Sequence, residues 1–230
     1  MALVFISNVE EGVRMGLWRM DETPAELLAR YPQLQRLEMP YKNGARQREF
    51  LCVRALLLEM TGDDTLVIGH EDSGRPVVEG WQLSISHTKG YAVLMLSREK
   101  TVGVDIEYRS DRIVKIASHF IRPDEWADFF EFRTDKYGNP LPTAVQPEVK
   151  MLALWCAKET LYKLYSEDNL PYFDMRMQGY RMPDTDCPRG TIPVRGYSVR
   201  LRIDNLKRGE QTMVHVFINP DYCLTWAVGK

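Results

Sequence analysis

The chain has 230 residues, of which 44% are hydrophobic and 27% are charged, a composition typical of a chain that buries a core and not of a disordered or fibrous one. Its 30 lysine and arginine residues nearly balance 32 aspartate and glutamate residues, which gives a formal net charge of −2 at pH 7. This balance argues against nucleic acid as a partner, so any recognition of phosphate groups must be local.

The cysteines and the apolar runs indicate the cellular setting. The four cysteines lie far apart and form no Cys-x-x-Cys pair, which argues against a zinc site or a disulfide framework. No apolar run approaches the roughly 20 residues of a membrane-spanning helix. The apolar run at the N-terminus stops before Glu10 and Glu11 and is too short for a signal peptide. We therefore expect a cytoplasmic protein with no membrane partner.

The first half of the chain alternates strands and helices. The stretch from Ala2 to Val9 is typical of a buried strand, and Pro24 to Leu37 has the apolar spacing of a helix, with Thr23 as its N-cap. A clearer helix runs from Ala45 to Met60 and ends before Gly62. Four short strands are predicted after it, at Thr65 to Ile68, Gln82 to Ser86, Tyr91 to Ser97 and Thr101 to Glu107.

Helices return in the second half. Pro123 marks a helix start, and a polar loop from Thr134 to Pro147 precedes the strongest helix, from Glu148 to Tyr165. Three strands are predicted to close the chain, at Tyr197 to Ile203, Thr212 to Ile218 and Tyr222 to Val228. The mixture of strands and helices in each half predicts the α+β class.

The two long helices resemble one another, because Phe50 to Arg54 aligns with Leu154 to Lys158. A repeat of this kind predicts two α+β lobes, 1–101 and 102–230, with a ligand cleft between them. One continuous α+β sheet is the alternative.

Three acidic residues are candidates for metal binding. Asp105 and Glu107 lie two apart in a predicted strand, so both point to one face, and paired carboxylates of this kind suit Mg²⁺. A solvated strand end is the alternative. On the long helix, Glu159 interrupts an aromatic stripe of Trp155 and Tyr162, and Lys163 follows one turn later. Glu159 is read as a third ligand, against the alternative of an exposed pair with Lys163 worth about 0.2–0.5 kcal/mol.

Candidate phosphate contacts lie nearer the N-terminus. His87 ends an alternating strand beside a turn, where its ring and the nearby amides can meet a phosphate. Arg75 lies in a turn, and further cations lie along the first long helix at Arg46, Arg48 and Arg54. A structural histidine, an ordinary turn and a solvated helix face are the alternatives.

Taken together and in order, these motifs carry a resemblance. The motifs are Gly74-Arg75-Pro76, Ser84-Ile85-Ser86-His87-Thr88, Gly103-Val104-Asp105-Ile106-Glu107, and Trp155 with Lys158, Glu159 and Lys163. The series resembles that of the larger, two-lobed 4′-phosphopantetheinyl transferases, the surfactin-synthetase-activating type. Thr88 departs from the serine of many members, and the stretch from Glu107 to Glu159 is long.

The resemblance implies a fold and a set of site residues. The fold is a pseudodimer of two similar α+β lobes with coenzyme A in the cleft between them. Asp105, Glu107 and Glu159 would hold Mg²⁺, or Mn²⁺ in its place, and Glu159 would also be the general base. Lys158 and Lys163 would neutralise charge on the pyrophosphate. The coenzyme A phosphates would meet His87, its neighbours Ser86 and Thr88, and either Arg46 or Arg48, while Gly74, Arg75 and Pro76 would shape the adenine side.

The resemblance also implies a reaction and a partner. The phosphopantetheine arm of coenzyme A would pass to a serine of an acidic acyl or peptidyl carrier protein of fatty acid, polyketide or nonribosomal peptide synthesis, with release of adenosine 3′,5′-bisphosphate. The segment from Arg176 to Arg208 has eight basic and three acidic residues, which favours an acidic partner. A monomer would suffice, because one chain supplies both lobes. A Mg²⁺-dependent hydrolase of coenzyme A or a nucleotide diphosphate, and a coenzyme A-binding adaptor, are the alternatives.

Overall fold

The computed structural model of the protein describes residues 2–126, 146–181, 192 and 194–229. The described residues have the predicted α+β composition. The strands are β1 (Leu3–Glu10), β2 (Val13–Arg19), β3 (Gly69–His70), β4 (Pro76–Val77), β5 (Gln82–Thr88), β6 (Tyr91–Ser97), β7 (Val102–Tyr108), β8 (Met175–Arg181), β9 (Tyr197–Asn205), β10 (Glu210–Ile218) and β11 (Tyr222–Val228). The α-helices are α1 (Pro24–Arg30), α2 (Gly44–Thr61), α3 (Arg112–Ile116) and α4 (Pro147–Leu164).

The described strands form two main antiparallel sheets. The first sheet has the order β1-β2-β6-β5, and the second has the order β7-β11-β10-β9-β8. Strands β3 and β4 form a separate two-stranded ribbon. The strand β5 is thus one edge of the first sheet, and β7 is one edge of the second.

Each main sheet carries a long helix on one face. Leu51, Leu56 and Met60 of α2 are buried in a core with residues of the first sheet such as Trp18 and Leu94. A second core joins α4 to the strands β9, β10 and β11. A third core contains β2 and β6 residues from the first sheet and β7 and β11 residues from the second, so the sheets pack against each other on their other faces.

The two sheets share one connectivity. In the first, β2 is followed by a short helix, an 18-residue helix and the hairpin β5–β6, and β6 returns to pair with β2. In the second, β7 is followed by a short helix, an 18-residue helix and, after β8 and β9, the hairpin β10–β11, and β11 returns to pair with β7. The strands β1, β3, β4, β8 and β9 are additions to this common arrangement.

A glycine sits beneath the long helix in each sheet. A Cβ atom on Gly16 of β2 would come within 2.7 Å of Leu56 and 2.8 Å of Met60. A Cβ atom on Gly103 of β7 would come within 2.3 Å of the carbonyl oxygen of Thr160 and 3.0 Å of Cβ of Leu164. The alignment that pairs Phe50 with Leu154 also pairs Leu56 with Thr160 and Met60 with Leu164, so the close approach recurs at corresponding places.

Several predicted elements differ from the observed ones. The predicted helix at 24–37 stops at Arg30, because Pro32 cannot continue it, and a 3-10 helix follows at Pro32–Arg36. The capping box between Thr23 and Glu26 is present as expected of the N-cap.

The predicted strand at 65–68 is wrong. The Asp63 carboxylate accepts hydrogen bonds from the amide and hydroxyl of Thr65, which makes a turn, and pairing begins only at Gly69. The sequence interpretation also missed β2 and β8. Residues 127–145 lie outside the described residues. They include the continuation of the helix predicted to start near Pro123 and residues 134–145 of the predicted polar loop. None of the described helices has the length and apolarity that crossing a bilayer requires.

A buried ion pair joins Lys158 of α4 to Glu125. The side chains of Lys158 and Glu125 are 0% and 1% exposed, and Lys158 Nζ lies 2.8 Å from Glu125 Oε2. The same ammonium donates to the carbonyl oxygens of Phe120 at 2.7 Å and Tyr172 at 3.2 Å. Glu125 in turn accepts hydrogen bonds from the amides of Arg122 and Met177. Burial lowers the pKa of Lys158, and the negative charge of Glu125 opposes that change.

The close approach of α4 to β7 predicts that Gly103→Ala destabilises the fold. The added methyl group would collide with helix backbone, which cannot move aside as a side chain can, and overpacking of this kind costs about 1–3 kcal/mol or more. Gly44→Ala is the control, because nothing lies within 4 Å of its Cβ position. Urea unfolding monitored by circular dichroism measures both variants. Equal free energies of unfolding for the two would contradict the close approach.

The buried pair predicts that Lys158→Met destabilises the protein by about 3–5 kcal/mol, because Glu125 is left as an uncompensated buried charge. Lys115→Met, at an exposed position of α3, makes the same chemical change and should alter the free energy of unfolding by less than about 0.5 kcal/mol. Denaturant titration of both variants tests this. A loss below about 1 kcal/mol for Lys158→Met would mean that the pair is not buried as described.

Candidate active site

Two carboxylates of β7 point toward α4. Val104 and Ile106 are buried in the core between the sheets, so Asp105 and Glu107 occupy the opposite face, as the alternation predicts. Gly103, on that same face, lies directly beneath α4. The acids therefore lie where the edge strand of the second sheet meets its long helix.

Hydroxyl groups of β5 bind this edge from the first sheet. The hydroxyl of Ser86 donates to Asp105 Oδ1 at 2.7 Å, and that of Thr88 donates to Glu107 Oε2 at 3.0 Å. Ser84 Oγ accepts from the amide of Val104 at 3.0 Å, and Thr88 Oγ1 accepts from the amide of Tyr108 at 3.1 Å. The two edge strands β5 and β7 are therefore joined by side-chain hydroxyl groups of alternate β5 residues and not by a backbone hydrogen-bond ladder.

Asp105 has one satisfied and one unsatisfied oxygen. The residue is 5% exposed, and its Oδ1 atom accepts from Ser86 and from Lys163 Nζ, each at 2.7 Å. Lys163 also donates to the carbonyl oxygen of Val104 at 3.1 Å. Oδ2 is buried and has no hydrogen-bond partner among the described residues. A buried carboxylate oxygen without a partner carries a desolvation penalty that a bound cation would relieve.

The other two acids are partly withdrawn from water. Burial raises the pKa of Glu107, and the negative charge of Asp105 raises it further against the hydrogen bond from Thr88. Burial also raises the pKa of Glu159, opposed by a hydrogen bond that the Tyr172 hydroxyl donates to Glu159 Oε1. Carboxylates that repel one another and are poorly solvated favour binding of a cation.

The residues fit a magnesium ion in donor chemistry. All three acids offer hard oxygen ligands, and Mg²⁺ keeps several waters and shares its shell with substrate phosphates instead of using an all-protein cage. In the described part of the chain, no group of three or more histidine, cysteine, aspartate or glutamate side chains is gathered closely enough to hold a metal ion. The unpaired Oδ2 of Asp105 is the feature that fits a cation best.

The structure corrects one expectation for α4. Lys158 was expected to neutralise pyrophosphate charge, but its ammonium is fully buried and bonded to Glu125 and to two carbonyl groups. To reach a phosphate it would have to break that ion pair and leave Glu125 unpaired. Lys163, five residues later, is the lysine of α4 that lies at the carboxylates.

The candidate phosphate contacts lie near α2. His87 Nδ1 lies 3.9 Å from Glu49 Oε2, and the same carboxylate oxygen accepts from Arg46 Nη1 at 2.9 Å. Burial lowers the pKa of His87. Arg48 Nε is buried, and no hydrogen-bond acceptor for it is found within the described ranges. The two arginines that the sequence could not separate therefore differ, because Arg46 is neutralised by Glu49 and Arg48 Nε is unpaired.

The motif Gly74-Arg75-Pro76 forms the turn into β4. Gly74 has a φ of 83°, which only glycine adopts readily, and its amide donates to the carbonyl of Glu71. Arg75 lies 3.9 Å from Glu167, beyond the end of α4, and 3.5 Å from Gln82 Oε1. Arg75 therefore touches both halves of the chain, although this turn does not contact the carboxylates through any described hydrogen bond.

Sequence reasoning missed two residues of this region, Glu125 and Tyr172. Glu125 pairs with Lys158 across 33 residues, and Tyr172 reaches Glu159 across 13 residues. Neither stands in a motif, and no local pattern in the sequence could have found them.

One comparison with known proteins bears on this site. A family model described as the 4′-phosphopantetheinyl transferase superfamily matches residues 101–226, more than half of the chain. A search of curated proteins finds no match. The matched region includes the β7 carboxylates and all of α4, and the family uses coenzyme A as its donor. The chain therefore belongs to the 4′-phosphopantetheinyl transferase superfamily.

Proposed function

We propose that this protein transfers the 4′-phosphopantetheine group of coenzyme A to a serine of an acyl or peptidyl carrier protein, releasing adenosine 3′,5′-bisphosphate. The observation that carries the proposal is the buried Asp105, which accepts from Lys163 and keeps one oxygen unpaired among the described residues, in the region that matches the family. An anionic cluster with one lysine and one unpaired oxygen is suited to a cation and a diphosphate together.

The architecture we propose is the two-lobed one. The shared connectivity of the two sheets and the recurring glycine under each long helix support two lobes, 1–101 and 102–230, arranged as a pseudodimer. The cleft would then run along the contact between β5 and β7, where both lobes meet the carboxylates. One chain would complete the site, so a monomer would suffice.

In the proposed mechanism Glu159 is the general base. The oxygen of the carrier serine bonds to the phosphorus that bears pantetheine, the bond from that phosphorus to the bridging pyrophosphate oxygen breaks, and the serine proton passes to Glu159 directly or through water. Burial raises the pKa of Glu159, which makes its carboxylate a stronger base than that of a fully hydrated glutamate. Lys163 donates to the pyrophosphate oxygens, where charge gathers as the leaving group departs.

The metal and the donor would be held by residues of both lobes. Asp105, Glu107 and Glu159 would hold Mg²⁺, which offsets charge on the diphosphate when bound. His87 with Arg48 is the pair that we propose for the phosphates, and Arg48 is preferred to Arg46 because Arg48 Nε is buried without an acceptor among the described residues. Ser86 and Thr88, on the same strand as His87, would position the carboxylates of Asp105 and Glu107. Gly74, Arg75 and Pro76 are proposed for the adenine side of the cleft.

Glu159→Gln is expected to lower the rate of transfer by about 10²–10⁴-fold, the usual loss when a general base is removed. Glu148→Gln, an exposed change on the same helix, is the matched control and should transfer normally. Intact-protein mass spectrometry of apo carrier proteins incubated with coenzyme A and Mg²⁺ measures the gain of one phosphopantetheine, and EDTA should abolish it. Consumption of coenzyme A with unmodified carriers would instead indicate a hydrolase.

The proposed carrier is acidic. Part of the basic excess noted in the sequence is already neutralised, since Arg176 pairs with Asp124 and Arg208 pairs with Asp168. Arg195 is exposed, and the described residues place no carboxylate within ion-pair distance of it. It is therefore the residue of this segment that we propose for steering a carrier.

Arg195→Glu is expected to weaken the apparent affinity for the carrier about fivefold at low ionic strength, because charges at the rim of an interface mainly change the rate of association. The loss should shrink as salt shortens the Debye length to about 3 Å at 1 M. Lys115→Glu is the charge-matched control. Steady-state transfer assays at several salt concentrations measure both variants, and an unchanged KM for the carrier at low salt would count against Arg195.

A further inference from the structure

Three residues of α4 converge on a single tyrosine. Tyr172 begins a 3-10 helix, Tyr172–Asp174, that lies beyond the end of α4. The rings of Trp155 and Tyr172 have centroids 5.3 Å apart, Lys158 Nζ lies 3.2 Å from the Tyr172 carbonyl oxygen, and the Tyr172 hydroxyl donates to Glu159 Oε1. Tyr172 therefore contacts the helix through its ring, its backbone and its hydroxyl.

The position of this tyrosine is fixed by buried groups. Lys158 is anchored by Glu125, and Trp155 also makes an edge contact with the ring of Phe120, with the ring centroids 5.1 Å apart. The Tyr172 carbonyl also accepts from the amide of Met175. A ring held at both its backbone and its face can present its hydroxyl at one place with little loss of freedom.

The contact with Glu159 is one-sided. The hydroxyl engages Oε1, and no described residue donates a hydrogen bond to Oε2. A carboxylate pinned at one oxygen has a defined direction for the other, whereas an unpinned glutamate samples several rotamers. Hydrogen bonds of this kind to the ligands of a metal, or to a base, set their orientation.

We propose that Tyr172 is a positioning residue for Glu159: its hydroxyl holds Oε1 so that Oε2 is presented to a divalent cation and to the proton of the acceptor hydroxyl. Trp155 and Lys158 act through Tyr172 and not on the substrate. The part of this proposal that concerns the acceptor rests on the proposed transferase function, whereas the part that concerns the cation does not.

Tyr172→Phe tests the proposal, because it removes the hydroxyl and keeps the ring and the carbonyl group. Tyr162→Phe is the matched control. Tyr162 is an exposed residue of α4, and its hydroxyl contacts Asn169 Oδ1 at 3.3 Å and not Glu159. Binding of Mn²⁺ is titrated by electron paramagnetic resonance with coenzyme A present, and kcat, KM and the thermal midpoint are measured in parallel.

We expect Tyr172→Phe to weaken Mn²⁺ binding and to lower kcat, each by about 10–100-fold, the usual loss on removing an outer partner of a ligand. The KM for coenzyme A and the thermal midpoint should stay near those of the wild type, and Tyr162→Phe should behave as the wild type. A merely structural role would lower the midpoint and leave Mn²⁺ affinity unchanged.

The outcomes separate this inference from the proposed function. Unchanged Mn²⁺ affinity in Tyr172→Phe would overturn the role of Tyr172 even if the wild type transfers phosphopantetheine. Absence of Mn²⁺ binding by the wild type would overturn it as well. Weakened Mn²⁺ binding in a protein whose wild type transfers nothing would support Tyr172 and reject the transferase reaction.

Discussion

Asp105 is an anion that the fold holds almost out of water, and the neighbouring elements are arranged around that charge. Strand β5 offers it the Ser86 hydroxyl and α4 offers it the Lys163 ammonium, both on Oδ1. Removing a carboxylate from water is unfavourable unless hydrogen bonds and charge compensate, so the two sheets and the helix must meet here for the buried form to persist. The position of Asp105 where the edge strands β5 and β7 meet α4 satisfies this requirement. The other oxygen of Asp105, Oδ2, has no hydrogen-bond partner among the described residues and can still accept one.

Two lysines of α4, Lys158 and Lys163, point in different directions and have different surroundings. Lys158 and Lys163 are five residues apart, so they leave the helix on different sides. Lys158 points into the core, where Glu125 and two carbonyl groups surround it, and Lys163 points to β7, where its side chain is 25% exposed. A charge that is fully enclosed fixes structure, whereas a charge that keeps contact with solvent remains available to a ligand. The helix thereby joins a rigid support and a site that a ligand can reach.

Much of the fold could be predicted from local patterns, and the tertiary contacts could not. The bounds of β6 were predicted as observed, because a continuous apolar run follows a turn, and those of α2 and α4 were predicted within one residue from the helical spacing of their apolar residues. Strand β2 escaped because both of its faces are buried and Gly16 interrupts it, so it shows no alternation. The common face of Asp105 and Glu107 followed from the strand period. The burial of Lys158 did not, because its partner Glu125 lies on another element and helical spacing cannot tell a buried cation from an exposed one.

The proposed repeat also explains why a chain of two similar lobes would have one site. Aligning Gly16 with Gly103 in the sequence pairs Trp18 with Asp105 and Met20 with Glu107, and the alignment of the two long helices pairs Ala55 with Glu159. Trp18, Met20 and Ala55 are all buried. The helix alignment also pairs Arg54 with Lys158, and both cations donate to backbone carbonyls, Arg54 to those of Phe50 and Ile68. A cation that donates to backbone carbonyls thus occurs in both long helices, whereas the acids occur only in the second half of this alignment. Because core side chains occupy the corresponding positions in the first half of the chain, that half would supply no carboxylate to the proposed metal site. It meets the carboxylates of the second half through the hydroxyl groups of β5.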